Sequence, residues 1–304
     1  MTTSLPGLSA ELYPFTSQFH RQSAGHRLHY LDEGPATGLP VVMVHGNPTW
    51  SFYYRELVRG LADRHRCLVV DHIGCGLSDR PPDDSYNYTL ASRIDDLEHW
   101  LTAVCPEGLV DLVVHDWGGA IGLGWAIRHP ERIRRLAVLN TAAFNMPRDK
   151  RLPRSLGFAR TWLGSQMIQR FNAFSGIAAR VGSSKPLAPE VRKGLTAPYR
   201  GSPDRRLATL RFVQDIPLKP SDPAWPVLKE IETGLASLAD REILIGWGAK
   251  DFVFDDVILA HWKRIWPGAR VAYFDQAGHY VLEDAAEELV PMIRDHLTPD
   301  RQAA

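Results

Sequence analysis

Three residues whose side chains can carry out covalent catalysis follow short apolar runs at widely separated places in the chain. Asp116 follows VDLVVH, Asp251 follows EILIGWGAK, and His279 follows RVAYFDQAG. An aspartate is already ionised at neutral pH, so Asp116 can attack a carbon atom without a base to activate it. His279 can then transfer a proton, and Asp251 can fix the tautomer of the imidazole and balance its charge. This order along the chain predicts a mechanism in which the nucleophile is a carboxylate.

The residues around Asp116 predict a sharp turn between a strand and a helix. The stretch VVHDWGGAIG departs from the pattern Gly-x-nucleophile-x-Gly, because Val114 replaces the first glycine while Gly118 keeps the second. Such a turn presents its central side chain above the end of the sheet. Aspartate is also a favoured helix N-cap, so a structural role is the alternative for Asp116 considered alone. The matching positions of Asp251 and His279 favour the catalytic interpretation.

Asn47 and Trp117 supply N–H donors next to the proposed nucleophile. Asn47 lies in the turn HGNP after the run VVMV, and Trp117 directly follows Asp116. Attack by a carboxylate places negative charge on the leaving group, and oriented donors in a dry site stabilise that charge. The structural alternatives are a turn residue before Pro48 and an ordinary core aromatic. These donors do not distinguish a halide from a carboxylate as the leaving group.

The sequence between these residues predicts an α/β fold. Six runs rich in valine and isoleucine predict strands of a buried parallel sheet, and they begin near residues 40, 66, 110, 133, 241 and 269. Helical patterns between the runs predict a doubly wound sheet. Two earlier stretches, around Gln18 and His26, predict an antiparallel edge hairpin. The strand-to-helix turn and the chain order of the three residues then indicate the α/β-hydrolase fold.

One segment interrupts this alternation. From residue 145 to residue 219 helical fragments with aromatic residues and prolines replace the strand signals. We predict a helical cap at 145–219, inserted into a core formed by residues 1–144 and 220–304. The segment has fifteen Lys and Arg against four Asp and Glu, a net charge of +11, so the rest of this neutral chain carries −11. The asymmetry suggests an anionic partner, with solvated helix faces as the alternative.

Composition argues against several other classes of protein. The 304 residues are 44% hydrophobic, which is enough for one large core. No long apolar run and no secretory signal is readable, so we expect a cytoplasmic protein. The three cysteines have no C-x-x-C spacing and the histidines are dispersed, so the sequence indicates no metal site and no cofactor. An isoelectric point near 7.2 and the lack of a recognisable motif argue against nucleic-acid binding.

Five motifs make the chain similar to the haloalkane dehalogenase-like branch of the α/β-hydrolases: HGNPTW, DHIGCGLSD, HDWGG, GAKD and AGH. Within this branch it most resembles the β-lactone (cis-3-alkyl-4-alkyloxetan-2-one) decarboxylases of bacterial long-chain olefin biosynthesis, in runs such as YPFTSQF, LNTAAF and AGHYVLED. The resemblance implies a lyase that converts a cis-dialkyl β-lactone to a long-chain cis-alkene and carbon dioxide. It also implies that Asp116 is the nucleophile and that Asn47 and Trp117 hold the leaving group.

The catalytic residues leave other reactions open. Attack on the ring carbon of a lactone expels a carboxylate, whereas attack on the carbonyl gives an anhydride, and the sequence does not choose between them. Haloalkane dehalogenation through an alkyl-aspartate ester is the runner-up. Epoxide hydrolysis uses the same turn together with cap tyrosines, but the predicted cap contains only Tyr199. A non-catalytic binding protein is disfavoured, because the nucleophile, the acid and the histidine are all retained.

The resemblance also predicts what the cap contacts. The expected substrate is a small apolar molecule with long chains. Phe158, Trp162, Phe171 and Phe174 are candidates to line its slot, with simple packing as the alternative. The basic cap gives two expectations for larger partners, namely acidic enzymes of the same pathway or the surface of a membrane that stores hydrocarbon products. Either association is predicted to weaken as salt rises.

Overall fold

The computed structural model describes residues 5, 8–147, 149–150 and 154–298. The outer ends of the predicted core segments, at residues 1–4 and 299–304, lie outside the described residues. Within these limits the chain alternates strands and helices. The strands are β1 Ser17–Arg21, β2 Arg27–Glu33, β3 Pro40–Val44, β4 Arg66–Val70, β5 Val110–His115, β6 Ile133–Leu139, β7 Glu242–Gly248 and β8 Arg270–Phe274.

All eight strands form one sheet. Its order is β1-β2-β4-β3-β5-β6-β7-β8. β1 and β2 pair antiparallel and form the edge hairpin, β2 pairs antiparallel with β4, and the remaining pairs are parallel. The predicted α/β-hydrolase fold with its mostly parallel sheet is thus confirmed, as are the six runs and the hairpin. Because β3, β5, β6 and β7 run the same way, their carboxyl ends meet at one edge of the sheet.

Helices cover the sheet and connect its strands. They are α1 Arg55–Leu61, α2 Leu90–Val104, α3 Trp117–Ala126, α4 Arg154–Ala159, α5 Trp162–Phe171, α6 Ala173–Val181, α7 Pro189–Thr196, α8 Leu207–Asp215, α9 Ala224–Gly234, α10 Asp256–Ile265, α11 Val281–Asp284 and α12 Ala286–Leu297. Side-chain caps fix where some of them begin. The Thr89 hydroxyl accepts a hydrogen bond from the N–H of Ser92 at the start of α2, and Thr161 does the same for Gly164 at the start of α5.

The core lies on both faces of the sheet. Alternate residues of a strand point to opposite faces, so Val42 and Val44 of β3 pack on one side while Val41 and Met43 pack on the other. The first side is covered chiefly by α2, α3, α9 and α10, and the second by α1, α11 and α12. Burial on both faces explains why the strands read as continuous apolar runs rather than as alternating ones. The three cysteines are free and buried.

Helices α4 to α8 follow one another between β6 and β7. No strand occurs in the described part of residues 145–219. The division into a core and an inserted cap, with its boundaries at 145 and 219, remains a prediction. In the described part of the chain, no helix is long and apolar enough to cross a membrane.

Candidate active site

Asp116 lies in a sharp turn at the carboxyl end of β5, directly before α3. Its backbone has φ 52° and ψ −129°, in the region that L-residues rarely adopt. Although Asp116 holds the N-cap position of α3, its side chain makes no capping hydrogen bond. Gly118 is required here, because a Cβ atom at this position would meet the Val44 carbonyl group. The strained turn therefore directs the carboxylate away from the helix. The side chain of Asp116 does not act as a helix cap, which was the alternative role.

The Asp116 carboxylate is buried and held from two sides. One oxygen, Oδ1, accepts a hydrogen bond of 2.6 Å from the backbone N–H of Asn47. The other, Oδ2, lies 3.6 Å from Nε2 of His279. Gly46 completes this arrangement, because a Cβ atom there would collide with the Asp116 carboxylate. One oxygen is thus anchored, while the other faces the histidine.

Burial raises the pKa of Asp116 above the usual range of an aspartate. The charge of His279 and the backbone N–H groups of Asn47 and Trp117 oppose the shift, but the pKa stays raised. Only the ionised carboxylate is a nucleophile, so activity must fall as pH drops below this raised pKa. We therefore expect the acid limb of the pH profile of kcat/KM to lie above the pH at which an ordinary aspartate titrates. A limb at or below that pH, in an enzyme that remains folded, would contradict this assignment.

His279 and Asp251 form a buried pair beside the nucleophile. Nδ1 of His279 lies 2.8 Å from Oδ2 of Asp251. The other carboxylate oxygen of Asp251 accepts hydrogen bonds from the backbone N–H groups of Val253 and Phe254, at 2.7 and 3.1 Å. Burial lowers the pKa of His279, but Asp251 and then Asp116 more than offset it, so the pKa is raised overall. A positively charged His279 keeps Asp116 ionised, because each stabilises the charge of the other.

Asn140 is a positioning residue whose role the sequence analysis did not predict, although it lies in the LNTAAF run. It follows β6 with φ 30°, and its side-chain N–H₂ donates to Oδ2 of Asp251 at 3.0 Å. The same amide donates to the Gly248 carbonyl at 3.1 Å and accepts from the Gly248 N–H at 2.8 Å. Its backbone carbonyl accepts the N–H of Asp116 at 3.2 Å. Asn140 therefore ties the turn that carries the nucleophile to the strand end that carries the acid.

Asn47 and Trp117 both line the same cavity as Asp116. The side-chain N–H₂ of Asn47 donates to the Thr209 carbonyl at 3.2 Å, which anchors the amide against α8. The half-buried Trp117 ring packs against Phe212, with ring centres 5.5 Å apart. Its indole N–H makes no hydrogen bond to any described residue. The structure thus brings all five proposed site residues together at one edge of the sheet.

The cavity above Asp116 is almost entirely apolar. Its volume is about 360 Å³, near the lower end of the roughly 300–1,000 Å³ of typical ligand pockets. Among the residues that line the cavity, those with polar side-chain atoms all lie around the nucleophile: Asn47, Asp116, Trp117, His279 and Tyr280. A ligand is therefore held by apolar contact along its length and by polar groups at the reacting end.

Side chains of the predicted cap divide between the cavity and the surface. Phe158 and Phe174 line the cavity, as the sequence led us to expect. Trp162 and Phe171 do not line it, and each is 76% exposed to solvent. Tyr280 lies in the AGHYVLED run but was not predicted to be a site residue. It lines the cavity, and its hydroxyl makes no hydrogen bond within the described part of the chain. Burial raises its pKa, so the phenol stays protonated and can donate.

Comparison with known proteins places this arrangement in a family. A family model described as the alpha/beta hydrolase fold matches residues 40–286. The chain belongs to the α/β-hydrolase family. It is 50% identical over 289 residues to a protein of Shewanella oneidensis named cis-3-alkyl-4-alkyloxetan-2-one decarboxylase, covering 94% of this chain and 90% of that one. It is 47% identical to a protein of the same name from Xanthomonas campestris pv. campestris, covering 94% and 97%.

More distant relatives are haloalkane dehalogenases. One from Mycolicibacterium paratuberculosis is 32% identical, covering 93% of each chain. The crystal structure of a haloalkane dehalogenase from Agrobacterium tumefaciens C58 superposes with a TM-score of 0.82 at 26% identity, covering 94% of this chain and 98% of that one. The branch that the sequence motifs indicated is confirmed, and the identities rank the decarboxylases above the dehalogenases.

Proposed function

We propose that this protein is a β-lactone decarboxylase that converts a cis-dialkyl β-lactone to a cis-alkene and carbon dioxide. The identity of 50% to a relative with this named activity supports the proposal, together with an aspartate nucleophile at the base of an apolar cavity. We further place the reaction in the formation of long-chain olefins and the protein in the cytoplasm.

The hydrogen bond to Asp116 favours attack on the ring carbon rather than on the lactone carbonyl. Attack on a carbonyl develops an oxyanion, which in this fold is usually received by backbone N–H groups that follow the strands. Here the backbone N–H of Asn47 is already bonded to Oδ1 of Asp116. It stabilises the carboxylate of the nucleophile, and later the carbonyl oxygen of the ester that forms. A displacement at carbon needs donors only for its leaving group, and the indole N–H of Trp117 is free for that purpose.

The reaction then needs no water. Oδ2 of Asp116 attacks the ring carbon that bears the ring oxygen, the carbon–oxygen bond breaks, and its electron pair leaves on a carboxylate. The resulting ester loses carbon dioxide: the pair of the broken carbon–carbon bond forms the double bond, and the ester oxygen returns to Asp116 as a carboxylate. Inversion at the attacked carbon followed by anti elimination converts a cis lactone to a cis alkene.

A direct product assay tests this function. Purified protein incubated with a cis-dialkyl β-lactone is expected to release an alkene and carbon dioxide in equal amounts. The same preparation incubated with 1,2-dibromoethane is expected to release no bromide. Gas chromatography and a bromide assay measure the two products. Bromide without alkene would overturn the proposal in favour of dehalogenation, a second candidate supported by the 32% identity to haloalkane dehalogenases.

Epoxide hydrolysis is disfavoured by the position of Tyr199. Epoxide hydrolysis on this turn uses cap tyrosines whose hydroxyls are directed at the substrate, and Tyr199 is the tyrosine of the predicted cap. Tyr199 is fully buried, does not line the cavity, and its hydroxyl donates to the Thr49 carbonyl at 3.1 Å. It therefore serves as a packing residue between the segment after α7 and the turn after β3.

A further inference from the structure

Large apolar side chains surround the mouth of the cavity and face solvent. Five residues both line the cavity and are 41% to 56% exposed: Phe158, Met167, Ile177, Val181 and Phe252. Leu163, Met167 and Phe171 are spaced four apart on α5 and so share one helix face, which Trp162 extends. We call these eight residues the apolar rim: Phe158, Trp162, Leu163, Met167, Phe171, Ile177, Val181 and Phe252. Soluble proteins rarely expose so many neighbouring apolar groups without a binding partner.

The helices that carry the rim are basic. Residues 157–189 include four Lys and Arg and no Asp or Glu. Three of these cations, Arg170, Arg180 and Lys185, are exposed and form no ion pair with the described residues. Exposed tryptophan, phenylalanine and leucine next to unpaired cations are the composition of surfaces that insert at the boundary of an anionic bilayer. The exposed apolar area and the positive charge thus both favour an anionic bilayer as the binding partner of this surface.

We propose that the apolar rim docks on an anionic lipid bilayer, with the mouth of the cavity opening into the acyl region. Arg170, Arg180 and Lys185 contact the lipid phosphates, while Trp162 and Phe171 insert between the headgroups. An acidic protein would satisfy the cations but would cover the mouth with polar groups. A bilayer instead continues the apolar lining outward, which suits a cavity that ends in exposed apolar side chains.

Docking would also explain how a small cavity accepts a substrate whose alkyl chains are long and poorly soluble in water. A cavity of about 360 Å³ is at the lower end of the range for ligand pockets, so long alkyl chains must extend through the mouth. In the docked state those chains stay among lipid tails, and the alkene leaves without crossing water. This delivery role rests on the proposed function, whereas lipid binding itself does not.

Vesicle sedimentation tests the docking in the absence of substrate. The full-length protein is expected to bind vesicles of phosphatidylcholine and phosphatidylglycerol in equal parts, and to bind pure phosphatidylcholine vesicles more weakly. Binding should fall as salt rises from about 0.05 M to about 0.5 M, since screening weakens the attraction of cations to the surface. No binding to anionic vesicles at low salt would overturn the proposal, even if the same face captured an acidic protein.

Variants locate the surface. Trp162→Asp with Phe171→Asp is expected to lower the partition coefficient for anionic vesicles at least about tenfold, because two inserted aromatic side chains are lost. Arg170→Gln with Arg180→Gln should reduce both the binding and its salt dependence. Leu109→Asp is the matched control, because Leu109 is 45% exposed and precedes β5 at the opposite end of the strand from Asp116. Equal losses in the control and rim variants would refute the assignment of the surface.

The experiments can refute the docking and the proposed function independently of each other. Alkene formation from a short, water-soluble β-lactone is expected to be unchanged by the Trp162 and Phe171 substitutions, since neither residue lines the cavity. Vesicle binding without any alkene would refute the proposed function alone. Alkene formation without vesicle binding would refute the docking alone.

Discussion

Replacing Asp116 with asparagine is expected to abolish alkene formation, with a loss in kcat of at least about 10⁴-fold. The amide is nearly the same size as the carboxylate, and its oxygen can still accept the N–H of Asn47 that now bonds Oδ1. What disappears is the charged oxygen that faces His279 and attacks carbon. Single-turnover alkene release measures the effect. Appreciable turnover by a verified Asp116→Asn protein would show that the nucleophile lies elsewhere.

Folding of this variant can be checked by its thermal stability. Because burial raises the pKa of Asp116, the folded state binds the proton more tightly than the unfolded state does, and the ionised carboxylate destabilises the fold at neutral pH. We expect the Tm of Asp116→Asn to equal or exceed that of the parent at pH 7.

Asp96→Asn provides the matched control. Burial raises the pKa of Asp96 to about 6, but this residue lies on α2 and does not line the cavity. The Asp96→Asn variant should therefore keep full activity. Comparable losses in both variants would point to a structural effect of removing a carboxylate with a raised pKa rather than to loss of the nucleophile.

Turnover in ¹⁸O-labelled water is expected to leave no label in Asp116. If the ester oxygen returns to Asp116 when the alkene departs, the carboxylate keeps both of its original oxygens through many turnovers. A hydrolase behaves differently, because water attacks the ester carbonyl, the alcohol leaves with the original ester oxygen, and the oxygen of that water stays in the aspartate. Proteolysis followed by mass spectrometry of the peptide that contains Asp116 distinguishes the two outcomes.

The labelling experiment includes its own controls. Protein kept in labelled water without lactone sets the background. A haloalkane dehalogenase relative, turning over its own substrate, should acquire the label. Incorporation into Asp116 that rises with the amount of alkene formed would exclude the route through ring-carbon attack. It would instead favour a route in which water enters the cycle.

The parts of this structure that the sequence predicted are those specified locally. The six buried strands are visible as apolar runs, and Asp116, Asp251 and His279 each follow such a run, so the parallel topology brings them together. Asn140 also follows a strand and lies in the LNTAAF run, but that run alone assigns no role to its asparagine. Its role depends on contacts with Gly248 and Asp251, more than a hundred residues further along the chain.

The positions of side chains in the predicted cap followed less completely from the sequence. Its aromatic composition indicated an apolar slot, yet Phe174 faces the cavity while Trp162 and Phe171 face solvent. Helical periodicity shows that such residues share faces but not which face meets the rest of the protein, because packing between α5, α6 and the core decides it. The sequence analysis also missed Tyr280, because it attributed the AGH motif to His279 and assigned no role to the residue that follows it.

The apolar lining of the cavity bears on which members of a homologous series the enzyme accepts. A hydrophobic wall rewards each methylene that it contacts by about 1–3 kcal/mol, but a methylene beyond the mouth of this small cavity contacts no wall and gains little. Recognition is then concentrated on the strained four-membered ring, next to the polar cluster, and the alkyl tails are read loosely. A mixed supply of lactones would be processed side by side, so the distribution of hydrocarbon lengths would be set by the reaction that forms the lactone.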